Sequence, residues 1–233
     1  MTEPLPSVPR PIRVLTVDDD AMVRTGIRSI LSHDPDHRQP ELIAVAEASD
    51  GDEVIDAVHE HHPDIVLMDI RMQRMQGIEA TSRLQREVNP PKVIALTSFD
   101  LDRYVLGMLE AGASGFLLKD AAPSEVRNAI RVVHEGNAVL SPRATTHLIA
   151  CFAPTSDRAR MTGAARLVEA LSEREREVAG LVHQSLSDDQ IATRLHCSVS
   201  TVKTHLSHVR AKLDVSTRVQ VALLMERAAA AAQ

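Results

Sequence analysis

The residues in the first half of the chain that could do chemistry are the carboxylates Asp18, Asp19 and Asp20, the carboxylate Asp69, the hydroxyls Thr97 and Ser98, and the ammonium of Lys119. Each group follows a short apolar run, at 12–17, 65–68, 93–96 and 116–118 respectively. These are the groups that a magnesium-assisted phosphoryl transfer needs. A carboxylate is a competent phosphoryl acceptor when Mg²⁺ neutralises the incoming charge and a lysine pairs with the third oxygen. Carboxylates brought close together repel one another unless a cation sits among them. Taken alone, a strand-end Asp is ordinarily a helix cap or turn former and Thr97 can simply end a strand. It is the shared strand-end position of the whole set that points to phosphoryl transfer.

The elements that must position these groups are legible in the apolar pattern. With the run 42–45, five strand-like segments alternate with amphipathic helical stretches. Such alternation predicts a parallel sheet covered on both faces by helices, and in that architecture ligands bind beyond the carboxyl ends of the strands. The loops after the first, third, fourth and fifth runs then converge on one cleft.

The signatures VDDD (17–20), MDIRM (68–72), LTS (96–98) and GFLLKD (115–120) closely resemble those of the receiver domain of two-component response regulators, from about Arg13 to Gly136. The resemblance implies a flavodoxin-like fold, a five-stranded doubly wound parallel sheet with strand order 2-1-3-4-5. It implies that Asp69 is the phosphoacceptor, and that Mg²⁺ is held by Asp18, Asp19, Asp69 and the backbone carbonyl of Arg71. Thr97 and Lys119 would bind the transferred phosphoryl oxygens, and Phe116 occupies the position of a switch aromatic. Two positions depart from the family pattern. Gln73 stands where a proline usually follows the acceptor, and Asp120 follows Lys119 where many receivers have proline.

At 233 residues and 44% hydrophobic content the chain can build one ordinary core and a second small one, packed by aliphatic side chains because aromatics make up only 2%. The proline-rich start, 1–11, reads as a loose tail without the pattern of a signal peptide. No apolar stretch is long enough to cross a bilayer, and Cys151 and Cys197 show no metal-ligand or disulfide spacing, so a soluble cytoplasmic protein is expected. Charge divides the chain. Residues 1–140 hold 14 Lys/Arg against 23 Asp/Glu, a balance of −9, whereas 141–233 hold 12 against 9, a balance of +3. Only the second half suits a polyanionic partner.

That half is helical in pattern throughout. Ser172 with Glu175, and Ser187 with Gln190, form capping boxes that predict helix starts at Glu173 and Asp188. Ser198 marks a third start. From it Val199, Val202, Leu206, Val209 and Leu213 advance by threes and fours toward a core and leave Lys203, Thr204, Ser207 and Arg210 on the outer face. A short helix, a tight turn at 195–197 and a longer helix with a polar, basic face make a helix-turn-helix. The run LSEREREV to VRAKL (171–213) strongly resembles the LuxR-type DNA-binding domain. By that resemblance Val199–Leu213 is the recognition helix, with Lys203, Thr204 and Ser207 facing base edges and Thr201 and Arg210 touching phosphates. Arg194, Lys212 and Arg218 are expected to add non-specific attraction. Ser207 stands where a longer basic residue is common, and Ser185 where glycine is usual. A last helix is predicted over 217–229, suited to pairing with its twin on DNA.

The organisation expected is therefore a tail (1–11), a receiver domain (12–136), a linker with an extra helix at 142–152 (137–166), and a small all-α DNA-binding domain (167–233). Together the two resemblances imply a NarL/FixJ-type response regulator that is not an enzyme. A sensor histidine kinase would phosphorylate it on Asp69, and it would then dimerise and bind double-stranded promoter DNA to regulate transcription, with RNA polymerase as a further partner and no role for a membrane. Two other readings compete with it. In a haloacid-dehalogenase-type phosphatase Asp18 and Asp20 would be the D-x-D pair, but Met22-Val23 puts the expected threonine or valine off by one and leaves the helix-turn-helix unexplained. A DNA-binding protein whose receiver works without phosphorylation would not need the full acidic set.

Overall fold

The computed structural model describes residues 10–35, 39–98, 102–140, 164 and 166–231. The first part alternates β1 (Ile12–Val17), α1 (Ala21–Ser32), β2 (Leu42–Ala48), α2 (Val54–His61), β3 (Ile65–Asp69), α3 (Gly77–Leu84), β4 (Lys92–Thr97), α4 (Asp102–Glu110), β5 (Gly115–Leu118) and α5 (Pro123–His134). Strands β1 and β2, β1 and β3, and β3 and β4 pair in parallel, as sequence alternation requires. All five residues of β3 are buried, so the run Ile65 to Met68 is apolar without alternation because helices cover both faces. Asp20 does not join the other acids: its carboxylate caps α1 by accepting the Met22 N–H at 2.8 Å.

The sheet order is β2-β1-β3-β4-β5 and then β6 (Val139–Leu140), one strand more than the five expected. The extra strand lies in the segment read as the start of the linker and pairs in parallel with β5, Gly115 opposite Val139 and Phe116 opposite Leu140. Gly136, at φ 99°, takes a left-handed conformation that turns the chain back after α5. The two residues then satisfy hydrogen-bonding groups that would otherwise be left open on the edge of β5. The extra helix expected at 142–152 lies outside the described residues.

Contacts divide the chain into two compact units, 1–99 with 117–135, and 100–116 with 136–233. In the second, α6 (Glu173–His183), α7 (Asp188–Arg194), α8 (Val199–Leu213) and α9 (Arg218–Ala231) surround a core that includes Leu171, Val178, Val182, Ile191, Val202, Leu206, Val209, Leu213 and Val221. The three N-caps fall where the sequence places them. Ser172, Ser187 and Ser198 each accept the N–H three residues on, and Glu175 and Gln190 return to the cap N–H of Ser172 and Ser187. A third reciprocal box, Thr217 with Gln220, starts α9 at Arg218 and follows the same S/T-x-x-Q rule.

Ser185 has φ 64°, which explains why glycine is usual at this position in the family: an L side chain here pushes against its own backbone. Ser185→Gly is expected to raise the stability of the C-terminal helical domain by about 0.5–1 kcal/mol, the part of the left-handed strain that glycine relieves after its greater unfolded-state entropy is subtracted. Urea unfolding of the two proteins checks it, and an unchanged or lower midpoint would contradict it.

Candidate functional site

The acidic cleft forms at the carboxyl ends of β1 and β3. Asp18, 0% exposed, directly follows β1 and accepts the Asp20 N–H on Oδ1 at 3.0 Å. Asp69 ends β3 and accepts the Ile70 N–H on Oδ1 at 2.8 Å, with the Arg71 N–H also directed at its carboxylate. One oxygen from each of Asp18, Asp19 and Asp69 lies within 4.8 Å of the others. The Lys119 ammonium, carried by the end of β5, stands 2.7 Å from Asp18 Oδ2 and 2.9 Å from Asp69 Oδ2. Its backbone N–H donates to the Thr97 carbonyl at 2.7 Å, which joins the ends of β4 and β5. Thr97 is buried, and its hydroxyl donates to the Ser98 carbonyl at 3.0 Å.

The electrostatics follow from this crowding. Burial pushes the Asp69 carboxyl above the ordinary carboxylate value, and the charge of Asp18 adds to it; the Lys119 ammonium works the other way without cancelling them. Burial also opposes the charge on Lys119, but its contacts with Asp18 and Asp69 outweigh that and hold it above the usual lysine value. The lysine therefore stays charged between two acids. Asp18 Oδ2 is closed off from water, with the Lys119 ammonium 2.7 Å away as its neighbour. A buried oxygen with unused lone pairs, next to two further carboxylates, suits a hard cation that takes oxygen ligands. The three acids thus fit Mg²⁺.

The sequence-nominated set is accordingly brought together in the cases of Asp18, Asp19, Asp69 and Lys119. Arg71 follows two residues after Asp69, and Phe116 is buried in β5, 2% exposed. Sequence reasoning missed Arg24, whose Nη1 donates to the Asp18 carbonyl at 2.6 Å and whose Nε lies 3.4 Å from Glu47. It holds the acidic loop from α1, but a basic residue on an amphipathic helix gives no sign of that in sequence.

The second site is the outer face of α8. Val202, Leu206, Val209 and Leu213 are buried, and Lys203, Thr204 and Ser207 are exposed. Thr204 donates its hydroxyl to the Ser200 carbonyl at 3.0 Å, so it offers outward an acceptor oxygen and a methyl group. Thr201 Oγ1 lies 2.8 Å from Ser198 Oγ at the helix start, and Arg210 Nη1 donates to the Ser216 carbonyl at 3.2 Å. Two of the three flanking cations have structural partners. Lys212 Nζ is 2.7 Å from Glu175, and this contact, with the Ser172 N–H, lowers the Glu175 carboxyl to about 2. Arg218, 12% exposed in its side chain, pairs with Asp188 at 3.0 Å and donates to the Leu186 carbonyl at 2.7 Å. These contacts tie α9 to the start of α7 and engage the guanidinium that was expected to add non-specific attraction. Arg194 is exposed. Also unforeseen was Arg174, which reaches from α6 to donate to the Leu195 carbonyl at 2.9 Å and so braces the turn that precedes α8.

A parallel α/β domain with an acidic cleft at its strand ends, followed by a helix-turn-helix domain, defines a two-part transcriptional regulator. Residues 14–131 match the model of the response regulator receiver domain, and residues 169–225 match that of the bacterial regulatory proteins of the luxR family. The chain is 37% identical over 212 residues to the response regulator protein VraR of Staphylococcus epidermidis, covering 91% of this chain and 95% of VraR. It is 38% identical over 217 residues to the transcriptional regulatory protein LiaR of Bacillus subtilis, covering 93% and 97%. The crystal structure of the response regulator ChrA of a heme-sensing two-component system is similar at a TM-score of 0.51 and 34% identity, covering 93% of this chain and 97% of ChrA. The chain belongs to the NarL/FixJ-type response regulators, with a receiver domain and a LuxR-type DNA-binding domain. It is a regulator of transcription rather than an enzyme.

Proposed function

We propose that this regulator is switched by Mg²⁺-dependent transfer of a phosphoryl group from a sensor histidine kinase to Asp69, and that phosphorylation promotes dimerisation and sequence-specific binding to promoter DNA. The observation that carries the reading is the gathering of Asp18, Asp19 and Asp69 oxygens within 4.8 Å, with the Lys119 ammonium against Asp18 and Asp69. When bound, Mg²⁺ neutralises charge on the incoming phosphoryl oxygens; Asp18, Asp19, Asp69 and the Arg71 carbonyl are the groups to hold it. An Asp69 oxygen forms the new bond to phosphorus as the bond from phosphorus to the donor's histidine nitrogen breaks, and the proton needed by the leaving imidazole comes from solvent. Lys119 then pairs with a phosphoryl oxygen in place of the Asp69 carboxylate, and the Thr97 hydroxyl turns from Ser98 to another. The product adds about one to two negative charges at one strand end. That change biases Phe116 and the loops beside it toward the active arrangement.

On DNA, two C-terminal domains meet an inverted repeat with half-site centres ~10 bp apart, one helical turn, because each recognition helix must enter the major groove on the same side. The test takes the full chain with acetyl phosphate and Mg²⁺. Stoichiometric labelling that EDTA prevents, with a shift to dimer in sedimentation and tighter binding to such a duplex, is expected; a protein that takes no label with Mg²⁺ present overturns the reading. Lys203→Ala should lose roughly 1–3 kcal/mol at the specific site and relax the preferred base. Arg210→Ala should weaken all sequences alike and lower the salt slope by about one. The opposite pattern, read by fluorescence anisotropy over a salt series, would exchange base reader and phosphate clamp.

A further inference from the structure

The segment between β3 and α3 carries Arg71, whose carbonyl belongs to the proposed cation site, and it has Gln73 in place of the family's usual proline. Without the fixed φ of a proline ring, this loop needs another restraint if its carbonyl is to stay in position. Its ends are closed locally: the Ile70 N–H donates to Asp69 Oδ1 at 2.8 Å and the Gly77 N–H donates to the Ile70 carbonyl at 3.0 Å. Its middle is held from β2. Asp50, 3% exposed, accepts the N–H groups of Gly51 and Met75 on Oδ1, both at 2.8 Å, and those of Gln73 and Arg74 on Oδ2, at 3.1 and 2.9 Å.

Three consecutive peptide N–H groups converging on one buried carboxylate fix three consecutive residues, which a single proline does not do. The approach is close enough to require glycine beside the anchor, since a Cβ on Gly51 would sit 2.5 Å from the Met75 carbonyl oxygen. Arg74 folds back over the same anchor, with Nη2 3.0 Å from Asp52 and also against Glu53, and Nε 3.7 Å from Asp50. Burial pushes the Asp50 carboxyl upward, but the N–H groups of Arg74, Met75 and Gly51 and the Arg74 charge more than offset it, so the carboxyl lies below its usual value and stays ionised.

We infer that Asp50 is a positioning residue for the phosphoacceptor site: its carboxylate clamps the proline-free loop 73–75 and thereby sets the Arg71 carbonyl for the cation. The inference rests on the phosphorylation reading above and deepens it. Removing a group that orients a ligand typically weakens metal affinity about 10–100-fold while leaving the ligands themselves in place.

The full chain and the variants Asp50→Ala, Asp50→Asn and Asp50→Ala/Gln73→Pro test it, with Mg²⁺ affinity measured by calorimetry, acetyl phosphate labelling across a Mg²⁺ series, and thermal unfolding alongside. Asp50→Ala should need about tenfold more Mg²⁺ for half-saturation, yet reach the parent's extent of labelling when Mg²⁺ is saturating. Asp50→Asn, which keeps one acceptor oxygen, should fall between. Adding Gln73→Pro should bring Asp50→Ala back toward the parent, because the ring restores rigidity and removes an N–H that no longer has an acceptor. A folded Asp50→Ala with parental Mg²⁺ affinity overturns the inference, as does an affinity loss that Gln73→Pro leaves untouched. If Asp50→Ala does not fold, Asp50→Asn decides alone, parental affinity again being the overturning result. Failure of the parent itself to bind Mg²⁺ and take label is a different outcome and sinks the phosphorylation reading on which the clamp depends.

Discussion

Asp69→Asn is expected to abolish Mg²⁺-dependent labelling by a small acyl phosphate donor, because an amide cannot form the acyl phosphate. The structure also says what should happen to stability, which separates loss of the acceptor from loss of the fold. The folded-state value of the Asp69 carboxyl is raised, chiefly by burial and further by Asp18. For an acid with a raised value, native stability is fully present below the unfolded value and is lost as pH rises through the folded one. At neutral pH the ionised carboxylate therefore opposes folding. Asparagine keeps the shape and an acceptor for Lys119 while removing that charge, so its thermal midpoint should equal or exceed the parent's in the absence of Mg²⁺. Full labelling of the variant, assayed by intact mass, would remove Asp69 from the acceptor role. A midpoint well below the parent's would show instead that the carboxylate is a structural anchor.

Gly77→Ala is expected to be the most damaging of the conservative changes. An added Cβ would stand 2.0 Å from the Asp69 carbonyl oxygen and 3.0 Å from the Ile70 Cα, both backbone atoms, so no side chain can swing aside. Relief requires moving either the end of β3, whose Ile65 to Met68 are all 0% exposed, or α3 as a whole, whose Thr81 and Leu84 are 0% exposed. Overpacking of a filled interior costs about 1–3 kcal/mol and occasionally more, and a clash of backbone with backbone belongs at or above the top of that range. Because the displaced atoms belong to Asp69 itself, Mg²⁺ binding should weaken together with stability. Chemical denaturation and a Mg²⁺ titration of the same preparation check both. A stable Gly77→Ala with parental Mg²⁺ affinity would mean that the loop relaxes freely, against the clamp inferred at Asp50 as well.

Much of the molecule was legible because local rules and the fold agree. The run at 12–17 became β1 at those residues, and the three serine caps began α6, α7 and α8 where capping chemistry demands. The acidic, hydroxyl and basic groups could be nominated because a parallel sheet gathers its strand ends on one side, so position in the strand implies position in space. The outer face of α8 was readable from periodicity alone.

Other assignments depended on side chains meeting across long sequence separations. Arg218 and Lys212 look like free cations in sequence, and only the packing of α9 and α8 shows that Asp188 and Glu175 hold them. A charge pattern gives a residue's type and face but not its partner. The same limit hid Asp50, whose neighbours in the chain suggest no more than a turn: its three loop contacts come from residues 23 to 25 positions away. The sixth strand was missed because two residues carry no periodicity of their own, and β6 exists only because the edge of β5 is there to pair with. What the sequence determined by itself were the strands, the caps and the reactive groups, since these rest on the intrinsic preferences of neighbouring residues. Which carboxylate holds which backbone, and which cations are left for DNA, was decided by tertiary structure, because pairing depends on distances that exist only once the chain is packed.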